Sequence, residues 1–442
     1  MQSFFRFLCL TAISLTTYLG TQAQTNSPAV PAPSDTTRLT LPANLITPLD
    51  LQSYEAFRTA VQPLIKQMAS KKIVAMGEGT HGTAEFYQVR FWLTRILVEE
   101  HGFTQLALEN SYGDTHQLNA ALQRPAVDLP PLMRKTLLSM WQNQEMTQVF
   151  RWLQAYNQTH WRKVTLAGID AMFGSADAEL LQQGLVTAGP EIQTLTAQLL
   201  KSAQYKDNVW YQYSDSTYKA NRKELRTLSL AGYDAADKLL QGLPATKLPR
   251  RQRLELLKTA ANARMAFDDF HQAVVNKRES SRDSLMAEMT RLLVREAGQK
   301  IIIWAHDAHV ARRGIVPGDN NGGGTGAFLE RMFPGQYFVL ATATATGTFA
   351  ATTQSFISPA SPMAAYPLPL PEAGSWDATL AQMSSPNFYF FTRQLGMQDQ
   401  ARPLRLVGQT VGSEKFYAVM KLASAFDAVL FLRKTTAATL LP

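Results

Sequence analysis

The chain has a single cysteine, Cys9, in 442 residues. One thiol makes neither an internal disulfide nor a cysteine-based metal site, so packing must supply the stability and other side chains the chemistry. Charge is sparse as well. Charged residues make up 18% against 45% hydrophobic, which excludes global disorder and leaves material for a large core. The net charge is +8, yet no basic cluster runs longer than Arg250-Arg251-Gln252-Arg253. That run reads as a solvated loop or helix start beside Pro249, and no nucleic-acid partner is expected. Several catalytic signatures are missing too. There is no Gly-x-Ser-x-Gly elbow, no His-Glu-x-x-His and no Gly-x-x-x-x-Gly-Lys-[Ser/Thr]. The common serine-esterase arrangement, the helical zinc-protease site and the phosphate-binding P-loop are thereby excluded. The glycine run at 322–326 leads to no clear strand and reads as a loop. No repeat of 20 to 50 residues is visible.

What is present begins with a targeting segment. Met1 to Arg6 carries one positive charge, Phe7 to Leu19 is mostly apolar, and Thr21-Gln22-Ala23 offers small residues at the cleavage positions. This is a secretory signal pattern with cleavage after Ala23, so the chain is expected to be exported, periplasmic or secreted. The apolar run is too short for a membrane span, and no integral membrane segment is expected in the mature chain. Cleavage also removes Cys9, which suits an oxidising compartment. Residues 24–47, rich in Pro, Ser, Ala and Thr, read as a flexible leader before a domain spanning 48–442.

The domain alternates strand and helix patterns. Ile73 to Met76 is a short apolar run with the character of a buried strand. Thr83 to Glu100 follows with a helical stripe of Phe86, Val89, Leu93, Ile96 and Leu97, ended by Gly102. Gln105 to Leu108 reads as a second strand closing at Glu109. Strand, helix and strand in so short a span form a βαβ unit. A helix over 145–156, a strand at Val164 to Ala167 and a strand at Ile301 to Trp304 continue the pattern. Further strands are expected at Tyr337 to Ala341 and Ala428 to Phe431, with an irregular, proline-rich excursion at 359–371. From about 175 to 298 the pattern is nearly all helical. The fold class is therefore α/β: a mostly parallel central sheet, helices on both faces, and a large helical insertion capping the active-site edge.

Ligands of such sheets bind beyond the carboxyl ends of the strands. Three strand ends here carry ionisable groups. The first gives Glu78 and His81, then Glu85 and Arg90; the second gives Glu109; the fourth gives His306, Asp307 and His309. Three of the seven histidines fall in these two loops. The others, His101, His116, His160 and His271, read as structural or solvated.

These segments carry a resemblance. Gly-Glu-Gly-Thr-His-Gly-Thr-Ala-Glu at 77–85, Gly-Phe-x-x-Leu-Ala-Leu-Glu at 102–109 and Trp-Ala-His-Asp-Ala-His-Val at 304–310 are similar to the erythromycin esterase family. Weaker echoes are Trp152-Leu153 with Tyr156-Asn157, Gly168 with Asp170, and Arg282-Asp283 with Met286-Ala287. The resemblance runs from about 48 to 436. It implies an α/β core with a helical insertion, and a metal-independent hydrolase whose best-known members open the macrolactone of macrolide antibiotics. By motif match it places Glu78, His81, Arg90, Glu109, His306 and His309 in the active site, with no cofactor and a small-molecule ester or lactone as substrate.

Elementary chemistry agrees. Ester hydrolysis without a nucleophilic serine or cysteine needs an activated water, and a neutral histidine is the natural base. A carboxylate can fix that histidine's tautomer; His81 with Glu78 or Glu109 supplies both parts. His306, His309 or Arg90 could donate to the oxyanion, or Arg90 could lock the carboxylates as an ion pair. The rival expectation for the same His/Glu cluster is a metal- or haem-binding protein.

Overall fold

The structure, a computed structural model, describes residues 39–125, 127–295, 298–313, 324–354 and 357–441. The expected signal segment and most of the leader lie outside these residues. The strands are β1 (Thr47–Pro48), β2 (Ile73–Met76), β3 (Gln105–Ser111), β4 (Thr165–Asp170), β5 (Ile301–Trp304), β6 (Tyr337–Ala351), β7 (Ala364–Leu368), β8 (Asn387–Phe391), β9 (Arg402–Arg405), β10 (Tyr417–Met420) and β11 (Ala428–Thr435). One sheet runs β1-β8-β11-β6-β2-β5-β3-β4, with β7 beside β6, while β9 and β10 pair apart from it. From β11 to β4 every pairing is parallel. The antiparallel pairings sit at β7, β8 and β1. The α/β, mostly parallel reading of the sequence holds.

Side-chain alternation along the parallel strands divides the core into two layers. Val74, Met76, Leu106, Leu108, Ile302 and Trp304 face one cluster; Ile73, Ala75, Ala107, Ile301 and Ile303 face the other. Both faces are buried, which is why these strands read as continuous apolar runs. The helix Ala84–His101 seats Phe86, Val89, Leu93, Ile96 and Leu97 in the first layer. It ends at Gly102, which takes the left-handed conformation that a helix terminus favours in glycine.

Register places the chemistry. Trp304 lies opposite Met76 on one side and Leu108 on the other. The loops after β2 and β5 and the end of β3 therefore emerge level with one another. The chain leaves β2 toward β3 on one side and leaves β5 toward β6 on the other. The carboxyl ends of adjacent strands whose connections run in opposite directions are the expected ligand position in an α/β sheet.

Between β4 and β5 the described residues form helices, chiefly Ser175–Gly184, Pro190–Tyr211, Asp215–Gly242, Arg250–Met265 and Arg282–Leu293. The first four share a separate apolar cluster around Leu199, Ala235, Leu239 and Phe267, while Arg282–Leu293 packs Met286, Met289 and Leu293 into the second layer of the sheet core. The Arg250 run opens one of these helices.

Three details differ from the sequence reading. The stretch at 359–371 contains β7, which pairs antiparallel with β6. Gly324 precedes the helix Thr325–Met332, so the end of the glycine run starts a helix; residues 322–323 lie outside the described residues. Packing also begins before residue 48, since Leu41 and Leu45 are buried and β1 pairs with β8. Among the described residues no helix is long and apolar enough to cross a membrane.

Candidate active site

The loops after β2 and β5 touch. A Cβ on Gly77 would fall 1.8 Å from Asp307 Oδ1, so only glycine lets the two loops approach this closely. The Asp307 amide donates to the Glu78 carbonyl at 3.0 Å, joining the loops through the backbone.

Glu78 is fully buried and uses both oxygens. Oε1 lies 2.6 Å from His81 Nδ1, and Oε2 accepts from Arg90 Nη2 at 2.5 Å. Arg90 reaches forward from the helix Ala84–His101 and is itself sealed. Its guanidinium lies 4.7 Å from the Trp304 ring centroid and 5.1 Å from that of Tyr87. Arg90 thus stands behind Glu78, away from any substrate.

His306 is fixed at both nitrogens. Nε2 meets the Val407 carbonyl at 3.2 Å, and Nδ1 accepts from the Ala308 amide at 3.2 Å. That pattern requires a neutral ring carrying its proton on Nε2. Burial, assisted by the neighbouring His81, holds its pKa well below the usual histidine range, in agreement. The Val407 carbonyl also accepts the His81 amide at 3.0 Å, and the two imidazoles lie 4.6 Å apart.

Glu109 lies within β3, where the pairing with β4 shifts register. Its Oε2 accepts the His306 amide at 2.9 Å. Its Oε1 accepts from Arg282 Nη2 at 3.0 Å and lies 3.3 Å from His309 Nε2. Burial pushes this carboxyl up, but His309 and Arg282 outweigh burial and hold it well below the usual range. His309 Nδ1 lies 2.8 Å from Asp283 Oδ1, which also accepts the Thr325 amide and hydroxyl, each at 2.8 Å. Burial opposes a charge on His309, but Glu109 and Asp283 prevail and lift its pKa to about 10. Arg282 forks onto Asp170, with Nη2 to Oδ2 at 2.6 Å and Nε to Oδ1 at 3.2 Å.

The sequence-derived residues Glu78, His81, Glu109, His306 and His309 are thus brought together, with Arg90 behind them. Asp170, Arg282, Asp283, Thr325 and Val407 complete the network without having been marked as site residues. Asp170 closes β4, and Arg282-Asp283 was among the weaker motif echoes, so those three left a trace in the sequence. Thr325 and Val407 act through tertiary contacts and left none. The open side belongs to Arg282, His309 and Asp283, whose side chains are 18%, 15% and 14% exposed, against 5% for His81 and none for Glu78. Both oxygens of Glu78 and Glu109 and both nitrogens of His306 and His309 are engaged. Among the described residues no grouping of three or more His, Cys, Asp or Glu side chains suits a metal ion.

This geometry can be set against known proteins. A family model for erythromycin esterase matches residues 98–435. The chain belongs to the erythromycin esterase family. It is 30% identical to erythromycin esterase type II of Escherichia coli over 118 residues, 27% of each protein. It is 26% identical to erythromycin esterase type I of Escherichia coli over 286 residues, covering 60% of this chain and 66% of that one. With the putative hydrolase YbfO of Bacillus subtilis (strain 168) it shares 21% over 268 residues, 57% of this chain and 58% of that one. The chain thus spans between about a quarter and two thirds of these relatives' length. Among solved structures, a succinoglycan biosynthesis protein superimposes with a TM-score of 0.74 at 20% identity, over 92% of this chain and 98% of that one. A mutant of erythromycin esterase EreC in its open conformation gives 0.60 at 18% identity, over 88% and 96%. At these identities the structural matches speak for the fold.

Proposed function

We propose that the protein is an exported hydrolase that opens a carboxylic ester or lactone with a water activated by His81, without a bound metal. One observation carries this reading. His81 gives Nδ1 to a buried carboxylate at 2.6 Å, while its Nε2 has no hydrogen-bond partner among the described residues. A carboxylate facing Arg90 accepts, so His81 Nδ1 donates to it and Nε2 keeps a lone pair. That nitrogen takes a proton from water as the water oxygen attacks the ester carbonyl. Glu78 then faces the imidazolium and stabilises it, and Arg90 holds Glu78 in place. Arg282 supplies positive charge on the open side, where the oxyanion of the tetrahedral intermediate would develop. Family membership and the relatives named erythromycin esterases support an ester or lactone substrate, and a macrolide is the first to try.

The test is a panel of macrolides and simple esters, read by product mass spectrometry after dialysis against EDTA. Wild-type protein should turn over at least one, and His81→Asn should lower kcat by about a hundredfold or more with an unchanged melting temperature. Near-native turnover by folded His81→Asn would end the general-base assignment, and activity lost to EDTA and restored by zinc would end the metal-free one. Export rests on the apolar segment before Ala23. N-terminal sequencing of protein from an envelope fraction should begin at Gln24; a chain still starting at Met1 counts against export.

A further inference from the structure

The network holds two histidine–carboxylate pairs. In the first, His81 is backed by Glu78. In the second, His309 is backed by Asp283, and their surroundings differ in kind. Among the described residues His81 Nε2 has no partner. His309 Nε2 has two partners of opposite character: the Glu109 carboxylate at 3.3 Å and the Arg282 guanidinium at 3.1 Å. A carboxylate can only accept, so it suits Nε2 with its proton on. A guanidinium can only donate, so it suits Nε2 with its proton gone. This nitrogen therefore has a ready partner in both protonation states.

We propose that the two pairs work in opposite directions: His81 takes a proton from the attacking water, and His309, oriented by Asp283, gives one to the departing alkoxide. The proposal deepens the hydrolase reading above and rests on it. A bond forms between the water oxygen and the carbonyl carbon, and the bond from that carbon to the alkoxy oxygen breaks. The water's proton goes to His81 Nε2, and the His309 Nε2 proton goes to the alkoxy oxygen, which leaves as the alcohol. The bared Nε2 then accepts from Arg282 Nη1. Proton transfer from His81 to His309 through solvent restores both rings.

Every charged group around His309 fits the task. Asp283 and Arg282 face it from the helix Arg282–Leu293, Glu109 from β3 and neutral His306 from its own loop, with Asp170 anchoring Arg282 from β4. Glu109, Asp283 and Asp170 provide three carboxylates against one guanidinium, so a charged imidazole is favoured at rest. Thr325 donates twice to the Asp283 oxygen that faces His309, which fixes that carboxylate's aim. Asp283, Thr325 and Arg282 are positioning residues; His309 is the group that meets the substrate.

Leaving groups decide the matter. A p-nitrophenolate departs without a proton, whereas an alkoxide needs one. His309→Gln and Asp283→Asn should each lower kcat by about a hundredfold or more on an alkyl ester or lactone, and by less than about tenfold on the p-nitrophenyl ester of the same acid. Equal losses on both esters would overturn the assignment and leave His309 as an oxyanion donor. His81→Asn should lose activity on both, so failure of the base and failure of the acid are told apart. A second measurement needs no substrate. Histidine-ring NMR titration should find His309 charged above neutral pH, and Asp283→Asn should move its titration down by more than about one unit. An unmoved His309 in folded Asp283→Asn would also overturn the proposal.

Discussion

Asp307 stands between the two site histidines of its loop and is buried. Among the described residues it takes part in no ion pair at contact distance; its oxygens face the Thr342 amide at 3.2 and 3.4 Å. Burial pushes its carboxyl well above the usual range, and the nearby Glu78 adds to that push. That shift favours a protonated, neutral Asp307 in the folded protein. An asparagine has the same shape and, like it, no charge. Asp307→Asn should keep stability within about 1 kcal/mol and keep turnover, because a neutral group replaces a neutral group. Denaturant unfolding of both proteins checks this. A loss above about 2 kcal/mol would mean that a charged carboxylate is needed there. Asp307→Ala should cost more, since it empties the contact against Gly77.

Among the elements, legibility followed burial. β2, β5 and the start of β3 could be read because parallel strands buried on both faces are unbroken apolar runs. The loops after them could be read because ionisable groups directly beyond such strands are chemically conspicuous. β6 was legible only at its start, since Thr342, Thr344 and Thr346 alternate with small residues and offer no long apolar run. β7 hid among prolines. Val407, whose carbonyl joins His81 to His306, was beyond reach because the contact spans over 300 residues of chain. The four remaining histidines were read as structural or solvated. His160 stacks on Tyr156 and His271 on Tyr233, with ring centroids 3.9 and 3.8 Å apart.

One element beyond β11 bears on catalysis. After Thr435 the chain crosses the His81 loop: the Ala84 amide donates to the Thr436 carbonyl at 2.9 Å and the Ala438 amide to the Gly82 carbonyl at 2.8 Å. Glu85 accepts from both the amide and the hydroxyl of Thr436 at 2.8 Å. This segment holds the residue next to His81. Ala438→Pro deletes one of the two amide donors to the Gly82 carbonyl, the other being Ala350 at 3.0 Å, and should cut kcat about tenfold or more while circular dichroism stays native, because small displacements of a catalytic base are costly. Ala438→Ser keeps the amide and should match wild type. Native turnover in a folded proline variant would sink the idea.

For the molecule as a whole, buried acids set the response to pH. Burial raises the carboxyls of Asp177 and Asp307 well above their ordinary value, lifts Asp377 to about 6 and half-buried Asp114 to about 8. The folded protein keeps protons on these groups that the unfolded chain gives up from about pH 4, so stability falls as pH rises toward the folded values. His309 acts with the same sign. Its contribution is complete below about 6.5 and is lost as pH passes through about 10. Glu109 and Asp283 are held below their ordinary values, so what they add is present above about 4.5 and lost on further acidification. His306, kept neutral, adds a loss below about 6.5. The melting temperature should therefore peak near pH ~4.5, where the four raised acids begin to outweigh His306, and decline steadily toward pH ~9. Calorimetry across that range checks it, and a rise from 6 to 9 would contradict the assignment of neutral acids. Asp177 offers the sharper test. Its Oδ2 accepts from Asn262 Nδ2 at 2.8 Å, and Oδ1 of each residue is buried without a partner. A proton on the Asp177 carboxyl fits its burial. Asp177→Asn places an amide N–H where that proton sits and removes the titration, so it should flatten the decline between pH 6 and 9 without lowering stability at pH ~6.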